Sequence, residues 1–142
     1  MAVTATVYNY FKKNMGEEGF DFTADSLKVA LCTSSYTPDI DTHEDFADIT
    51  NEITGTGYTA GGVVLTGVTW AIDTALDRAK LSADNATWAV ATFTARYAIV
   101  YYSTGTAATS LLIGYIDFGA DQSPSAEDFV IAWASTGALY SG

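Results

Sequence analysis

The stretch TARYAIVYY, residues 94–102, decides the fold of this chain. In an extended strand its side chains alternate between two faces, with Tyr97, Ile99 and Tyr101 on one face and Ala98, Val100 and Tyr102 on the other. Both faces are apolar, which is typical of a strand that is covered on both sides. We therefore predict that this segment is the central strand of a β-sheet and that its tyrosines pack in the core.

Runs of similar character lie before and after this segment. Their patterns predict further strands at 26–33, 63–70, 78–84, 111–119 and 127–134. Turn-forming sequences separate the runs, namely AIDTALD (71–77, with Asp73 and Asp77), STGTAATS, GADQSPSA and STG. Several short strands without alternating helices predict an all-β antiparallel sandwich. The pattern leaves jelly-roll-like and immunoglobulin-like wiring both open.

One short helix is predicted at the amino-terminal end, over about residues 4–15. Its apolar residues fall on one helical stripe, formed by Val7, Tyr8, Phe11 and Met15. Thr4 is suited to cap this helix and Gly16 to end it.

The size and composition predict a single domain that spans residues 1–142. Hydrophobic residues make up 49% and charged residues only 16%, which argues against disorder. Two segments break the regular spacing of the strands. We expect them to form long loops at about 34–52 and 54–62, and loops of this kind commonly carry contacts.

The formal net charge is −11, from 17 acidic and 6 basic residues. A field of this sign repels phosphate backbones and anionic lipids, so neither a nucleic acid nor a membrane is an expected partner. The apolar stretches are also far shorter than the ~20 residues that cross a bilayer. Cys32 lies in the apolar run LKVALCT and is expected to be a small buried residue, and nothing in the sequence indicates secretion.

The run TPDIDTHEDF, residues 37–46, is the strongest candidate for chemistry. With the following residues it supplies six polar groups: Asp39, Asp41, His43, Glu44, Asp45 and Asp48. The run lacks the glycine and the final glutamate of an EF-hand loop, and one histidine is too few for zinc. We therefore predict no metal site. Asp39 and Asp41 are expected to make turn hydrogen bonds after Pro38, while Phe46 and Ile49 anchor a solvated loop.

Catalytic patterns are equally weak. His43 is the chain's one histidine and no GxSxG motif occurs, so a serine triad is not indicated. Asp117 in YIDFG is the best-placed acid, but Gly119 and Asp121 beside it favour a turn at a strand end. No phosphate-binding or dinucleotide fingerprint is present. We predict no catalytic residues, no cofactor, and a protein that is not an enzyme.

Aromatic and basic residues offer a further possibility. Tyr97, Tyr101 and Tyr115 have the rings to stack on sugars or bases, although core packing accounts for them better. Arg78 and Arg96 are expected to pair with a nearby carboxylate or with an acidic neighbouring subunit.

An ordered set of motifs resembles a family of small virion structural proteins of tailed bacteriophages and prophages. The motifs are SLKVALCTSSYTPD, EITGTGYTAGG, DRAKLSADNATW, TARYAIVYYSTGTAATSLLIGYIDFGADQS and F-x-I-x-W-x-x-x-G. VYNYFKKNM and FDFTADSLKVAL near the start fit the same pattern, so the resemblance covers nearly the whole chain.

This resemblance implies a capsid decoration or cement protein that binds and stabilises a shell of major capsid protein. The implied location is the virion, assembled in the host bacterial cytoplasm. The implied partners are the major capsid protein and further copies of the chain, with a trimer as one arrangement. Apolar residues near the ends either finish the core or bury at such contacts: Val7, Tyr8, Phe11, Trp133, Leu139 and Tyr140.

Three alternatives stay open at this point. A neck or tail protein of the virion would share the resemblance. A carbohydrate-binding sandwich would present coplanar exposed aromatic rings, with Trp70, Trp88 and Trp133 as candidates. A hydrolase would depend on Asp117.

Overall fold

A computed structural model describes residues 2–3, 5–17, 26–75, 78–134 and 139–141. One α-helix, α1, spans Asn9–Glu17. The strands are β1 (Ala2–Val3), β2 (Thr6–Val7), β3 (Leu27–Cys32), β4 (Val63–Val64), β5 (Thr69–Asp73), β6 (Arg78–Ser82), β7 (Ala86–Ala91), β8 (Ala95–Tyr102), β9 (Leu112–Gln122), β10 (Glu127–Trp133) and β11 (Leu139–Ser141). No helix in the described ranges is both long and apolar enough to cross a bilayer.

The main sheet has five strands in the order β2-β9-β8-β3-β4, and all its neighbours are antiparallel. Strand β8 lies in the middle, as the two apolar faces of TARYAIVYY predicted. The four residues at 98–101 are buried, and Ile99 is fully inaccessible. The prediction of a central strand covered on both faces is therefore confirmed.

Two three-stranded sheets, ordered β1-β10-β7 and β11-β6-β5, complete the sandwich. Aromatic rings join β9 of the main sheet to β10, since Phe118 packs edge-on against Phe129 at 5.8 Å between ring centroids. Phe129 also contacts Trp88 and Phe93. The protein is thus an all-β antiparallel sandwich with one short helix near its amino terminus, as predicted.

The amino-terminal segment differs from the prediction. The helix begins at Asn9, because Thr6 and Val7 pair with Tyr115 and Gly114 of β9 in an antiparallel bridge. Before them, β1 pairs in parallel with β10. The predicted cap at Thr4 lies outside the described residues. Tyr8 and Phe11 of the predicted apolar stripe are fully buried, and Val7 and Met15 are partly buried against the core. All four therefore pack inward as predicted, although Val7 and Tyr8 precede the helix.

The predicted strand at 63–70 was wrong in its continuity. The chain forms β4 over two residues, bends at Gly67 with φ +61°, and resumes as β5. The predicted turn at 71–77 starts too early, because β5 continues through Asp73 before turning at 74–75. Asp77 and the predicted STG turn lie outside the described residues. Strand β7 was not predicted, and β9 runs to Gln122, beyond the predicted end at 119.

Gly62 allows the loop over 54–62 to return closely onto strand β3. Its backbone adopts φ +84°, and a Cβ placed there would lie 1.7 Å from the carbonyl oxygen of Val29. No side chain can occupy that space without movement of the backbone. The close approach of loop and strand therefore requires glycine at this position.

We expect Gly62→Ala to reduce the free energy of unfolding by more than about 2 kcal/mol, because it adds a backbone clash to left-handed strain. Gly105 is a matched control, since it has φ +88° and no atom within 4 Å of an added Cβ. Gly105→Ala should cost only about 1 kcal/mol, from strain alone. Equal losses in urea unfolding would contradict the packing argument.

Candidate functional site

The acidic loop that follows β3 is an ordered turn. The Asp39 carboxylate accepts hydrogen bonds from the backbone N–H groups of Asp41 at 3.0 Å and Thr42 at 3.2 Å. The Thr42 side-chain hydrogen bond, followed by the Asp41 N–H, lowers the pKa of Asp39. The Asp39 carbonyl oxygen also accepts from the N–H of His43 at 3.1 Å. The predicted turn at Asp39 is therefore confirmed.

Asp41 has a different partner from the one predicted. Its carboxylate accepts a 2.6 Å hydrogen bond from Nδ2 of Asn9, at the first residue of α1. The backbone N–H of Asn9 in turn donates to the carbonyl oxygen of Ile40 at 2.9 Å. The Asp41 side chain thus fastens the loop to the helix, and only its backbone N–H takes part in the turn.

The second half of the loop is anchored by a ring and a capped turn. Phe46 stacks on Tyr101 of β8, with ring centroids 4.3 Å apart and an interplanar angle of 18°. Ile49 also packs against the core. Asp45 and Asp48 cap the short 3-10 turn at Phe46–Asp48 reciprocally. The predicted anchors are confirmed, and the loop lies along the main sheet.

A chain of hydrogen bonds leads from His43 into the core. The Tyr36 hydroxyl lies 2.9 Å from His43 Nδ1 and 2.8 Å from the hydroxyl of Tyr8. Tyr8 and Tyr36 are almost completely inaccessible, and the half-buried His43 ring stacks on Tyr36 at 5.6 Å. When Nδ1 accepts from Tyr36, the Tyr36 oxygen is left to accept from Tyr8, so all three groups are satisfied.

This arrangement holds the loop in place and provides no reactive group. Burial raises the pKa of Tyr36 to about 12 and raises that of Tyr8 further, so both hydroxyls stay protonated at neutral pH. Within the described residues, no group of three or more His, Cys, Asp or Glu side chains is arranged to hold a metal ion. The carboxylates of Asp39, Asp41, Asp45 and Asp48 each accept a hydrogen bond from within the protein.

We expect Tyr36→Phe to lower the free energy of unfolding by about 1–3 kcal/mol, because it leaves the buried Tyr8 hydroxyl without its partner. The double variant Tyr8→Phe with Tyr36→Phe removes that stranded hydroxyl. It should therefore be more stable than Tyr36→Phe alone in urea unfolding. Tyr10→Phe on the same helix is the control and should change stability by less than about 0.5 kcal/mol. Additive losses in the double variant would contradict this account.

A second polar cluster fixes the Gly- and Thr-rich loop at 54–62. The Glu52 carboxylate accepts from the Tyr58 hydroxyl at 2.5 Å and from the N–H of Gly61 at 2.6 Å. The Tyr101 hydroxyl donates to the carbonyl oxygen of Gly61 at 2.6 Å. Burial, reinforced by the bond to Glu52, raises the pKa of Tyr58. Glu52 therefore anchors the loop.

Beside this cluster lies an open cleft of about 330 Å³. It separates the loop at 54–62 from the one at 103–110, and it is lined by polar side chains that include Lys28, Ser103 and Ser110. Ser110 is itself bound within its loop, because its hydroxyl donates to the Thr106 carbonyl oxygen at 2.8 Å. Glu52 also lines the cleft, and its carboxylate is engaged by Tyr58 and Gly61.

Asp117 lies within β9 and not at a strand end, which corrects the prediction. Its Oδ1 accepts from Nε of Arg96 at 2.7 Å and from the N–H of Gly119 at 2.8 Å. These two bonds lower the pKa of Asp117, with the Arg96 bond the larger cause. A general acid in a glycosidase needs a raised pKa, so this environment suits an ion pair. The predicted pairing of Arg96 with a carboxylate is confirmed.

We expect Arg96→Gln to raise the pKa of Asp117 toward its ordinary value, as measured by NMR titration. In the wild type the lowered pKa means that the pair stabilises the fold above the unfolded-state pKa of aspartate. This contribution is lost as the pH falls through the folded-state pKa. Both side chains are partly exposed, so the effect on stability is small. Lys13→Gln is the control and should leave Asp117 unchanged, whereas equal shifts would argue against a direct pair.

The remaining candidates are mostly buried. Cys32 is fully inaccessible, as predicted, and burial raises its pKa to about 12. Trp88 is 2% exposed, and Trp133 is half-buried and donates its indole N–H to the Asp84 carbonyl oxygen. Trp70 packs against the core. These three indoles do not form the coplanar exposed set that a sugar-binding surface would present.

No family model matches the chain, and no curated protein or solved structure is significantly similar to it.

Proposed function

We propose that this protein is a structural component of a tailed bacteriophage virion, namely a decoration protein that binds and stabilises the shell of major capsid protein. The observation that carries the proposal is the use of the polar residues in the loops. Asp39 and Asp45 order the acidic loop from within, Asp41 fastens it to α1, and Glu52 anchors the loop at 54–62. A protein that works by docking needs such fixed surface loops and needs no reactive centre.

The distribution of charge supports docking on a basic surface. Nine carboxylates are exposed on the described surface: Glu17, Asp39, Asp41, Asp48, Asp84, Asp117, Asp121, Glu127 and Asp128. With a net charge of −11, they attract a positively charged partner over several ångströms and repel nucleic acid. The acidic loop is the first candidate for the contact, because Ile40 places an exposed apolar side chain among its carboxylates.

The ordered sequence motifs supply the identity of the partner in this proposal. They resemble virion structural proteins from residue 7 to residue 137, and this resemblance selects a capsid shell over other basic surfaces. A neck or tail position is the main alternative within the same class. The two positions differ in the number of copies that a particle contains.

Quantitative mass spectrometry of purified particles tests the proposal. We expect a copy number comparable to that of the major capsid protein. A few copies per particle would assign the protein to the neck or tail, and its absence from particles would reject a virion role. Binding of the purified chain to particles that lack it should weaken as salt rises, since charge attraction is screened. Binding that is indifferent to salt would contradict the electrostatic part of the proposal.

A further inference from the structure

Strand β5, with the sequence TWAID, is an edge of its sheet. It pairs with β6 in an unbroken antiparallel register from Thr69↔Ser82 to Asp73↔Arg78. Among the strands that the structure describes, none lies on the other side of β5. An edge of this kind presents backbone N–H and C=O groups that can extend the sheet.

Most of the usual protections of an edge strand are missing from β5. Proteins block such edges with proline, charged residues (lysine above all), bulges or very short strands. TWAID contains no proline, glycine or lysine, its one charged residue is Asp73 at the end of the strand, and its register with β6 shows no bulge. Its apolar side chain Ile72 is 75% exposed, the highest value among the large hydrophobic residues of the described surface.

Ile72 continues an apolar face of the sandwich beyond the core. Trp70 and Ile72 are two residues apart, so they lie on the same face of the strand. Trp70 and its cross-strand neighbour Leu81 pack in the core, whereas Ile72 and Ala79 extend the same face outward. The exposed apolar side chain of Ile72, on an edge strand without a neighbour among the described strands, could therefore be covered by a partner strand.

We propose that β5 pairs with β5 of a second copy, antiparallel and about a two-fold axis at Ala71. In this register Ala71 faces Ala71, and Trp70 of each copy faces Ile72 of the other. Thr69 faces Asp73, so no like charges are opposed. Aromatic and β-branched residues form favourable cross-strand pairs. The β11-β6-β5 sheets of the two copies then become one six-stranded sheet.

The sequence of β5 favours a second copy of the same chain as its pairing partner. A two-fold contact places the same surface on both partners, and TWAID complements itself because its apolar positions lie symmetrically about Ala71. Two paired strands of five residues bury less than the ~1,200 Å² typical of a stable interface, so the pairing is weak in dilute solution. On a particle it strengthens, because neighbouring copies are held at high effective concentration. This last step rests on the proposed virion role, whereas the pairing does not.

A cysteine cross-link tests the register directly. Residues directly opposite in an antiparallel pair have Cα atoms about 4.5–5.5 Å apart, which is within the range of a disulfide. Ala71→Cys should therefore give a disulfide-linked dimer under mild oxidation of the purified chain. Thr69→Cys is the matched control, since its two copies would lie about 13 Å apart. Both positions are exposed, and the buried Cys32 is common to both variants.

We expect Ala71→Cys to cross-link on the order of tenfold faster than Thr69→Cys, because only the first meets the disulfide distance. Adding Ile72→Lys should slow the cross-link, whereas Val64→Lys, at an exposed valine on the edge strand β4 of the main sheet, should not. Equal rates for the two cysteines, or no cross-link, would overturn the pairing. Such a result would leave the copy number in particles, and hence the proposed function, unaffected.

Discussion

The burial of strand β8 on both faces is the constraint on which the rest of the structure depends. Its neighbours β3 and β9 pair with it over most of their lengths. Its tyrosines then support the surface loops, since Tyr101 stacks on Phe46 and binds Gly61, and Tyr97 packs edge-on against Tyr36. A change that displaced β8 would therefore release both the acidic loop and the Gly- and Thr-rich loop.

The sequence predicts those strands whose burial is visible as a pattern within a short window of residues. The all-β class follows from several short strand-like runs without helices between them, and the central position of 94–102 follows from its two apolar faces. The amino-terminal residues were wrongly predicted as helix because Val7 and Tyr8 fit a helical stripe. In the structure Val7 pairs instead with Gly114 of β9, which is distant in sequence. Strand β7 was not predicted because its buried and exposed side chains do not alternate regularly. Val90 has φ 48° and an exposed side chain, and it lies near the register shift between β7 and β10 at Glu127.

The loops follow the same division between local and distant contacts. The turn at Asp39 and the anchoring by Phe46 were predictable, because turn chemistry and an apolar residue within a polar run are visible in a short window. The bond from Asn9 to Asp41 and the chain from Tyr8 through Tyr36 to His43 were not. They join residues 32 and 28 positions apart, and the fold of the main sheet brings these together. The virion role rests on a resemblance of motifs, so it stays a proposal beside the fold.

Strands β1 and β2 join both layers of the sandwich, since β1 pairs with β10 in one sheet and β2 with β9 in the other. During synthesis these two strands are made long before their partners β9 and β10. Folding must therefore close very long loops, which makes it slow compared with that of a protein rich in local contacts. The nascent chain is exposed to wrong partners meanwhile. We therefore expect the yield of folded chain to rise with chaperones or with slow expression at low temperature.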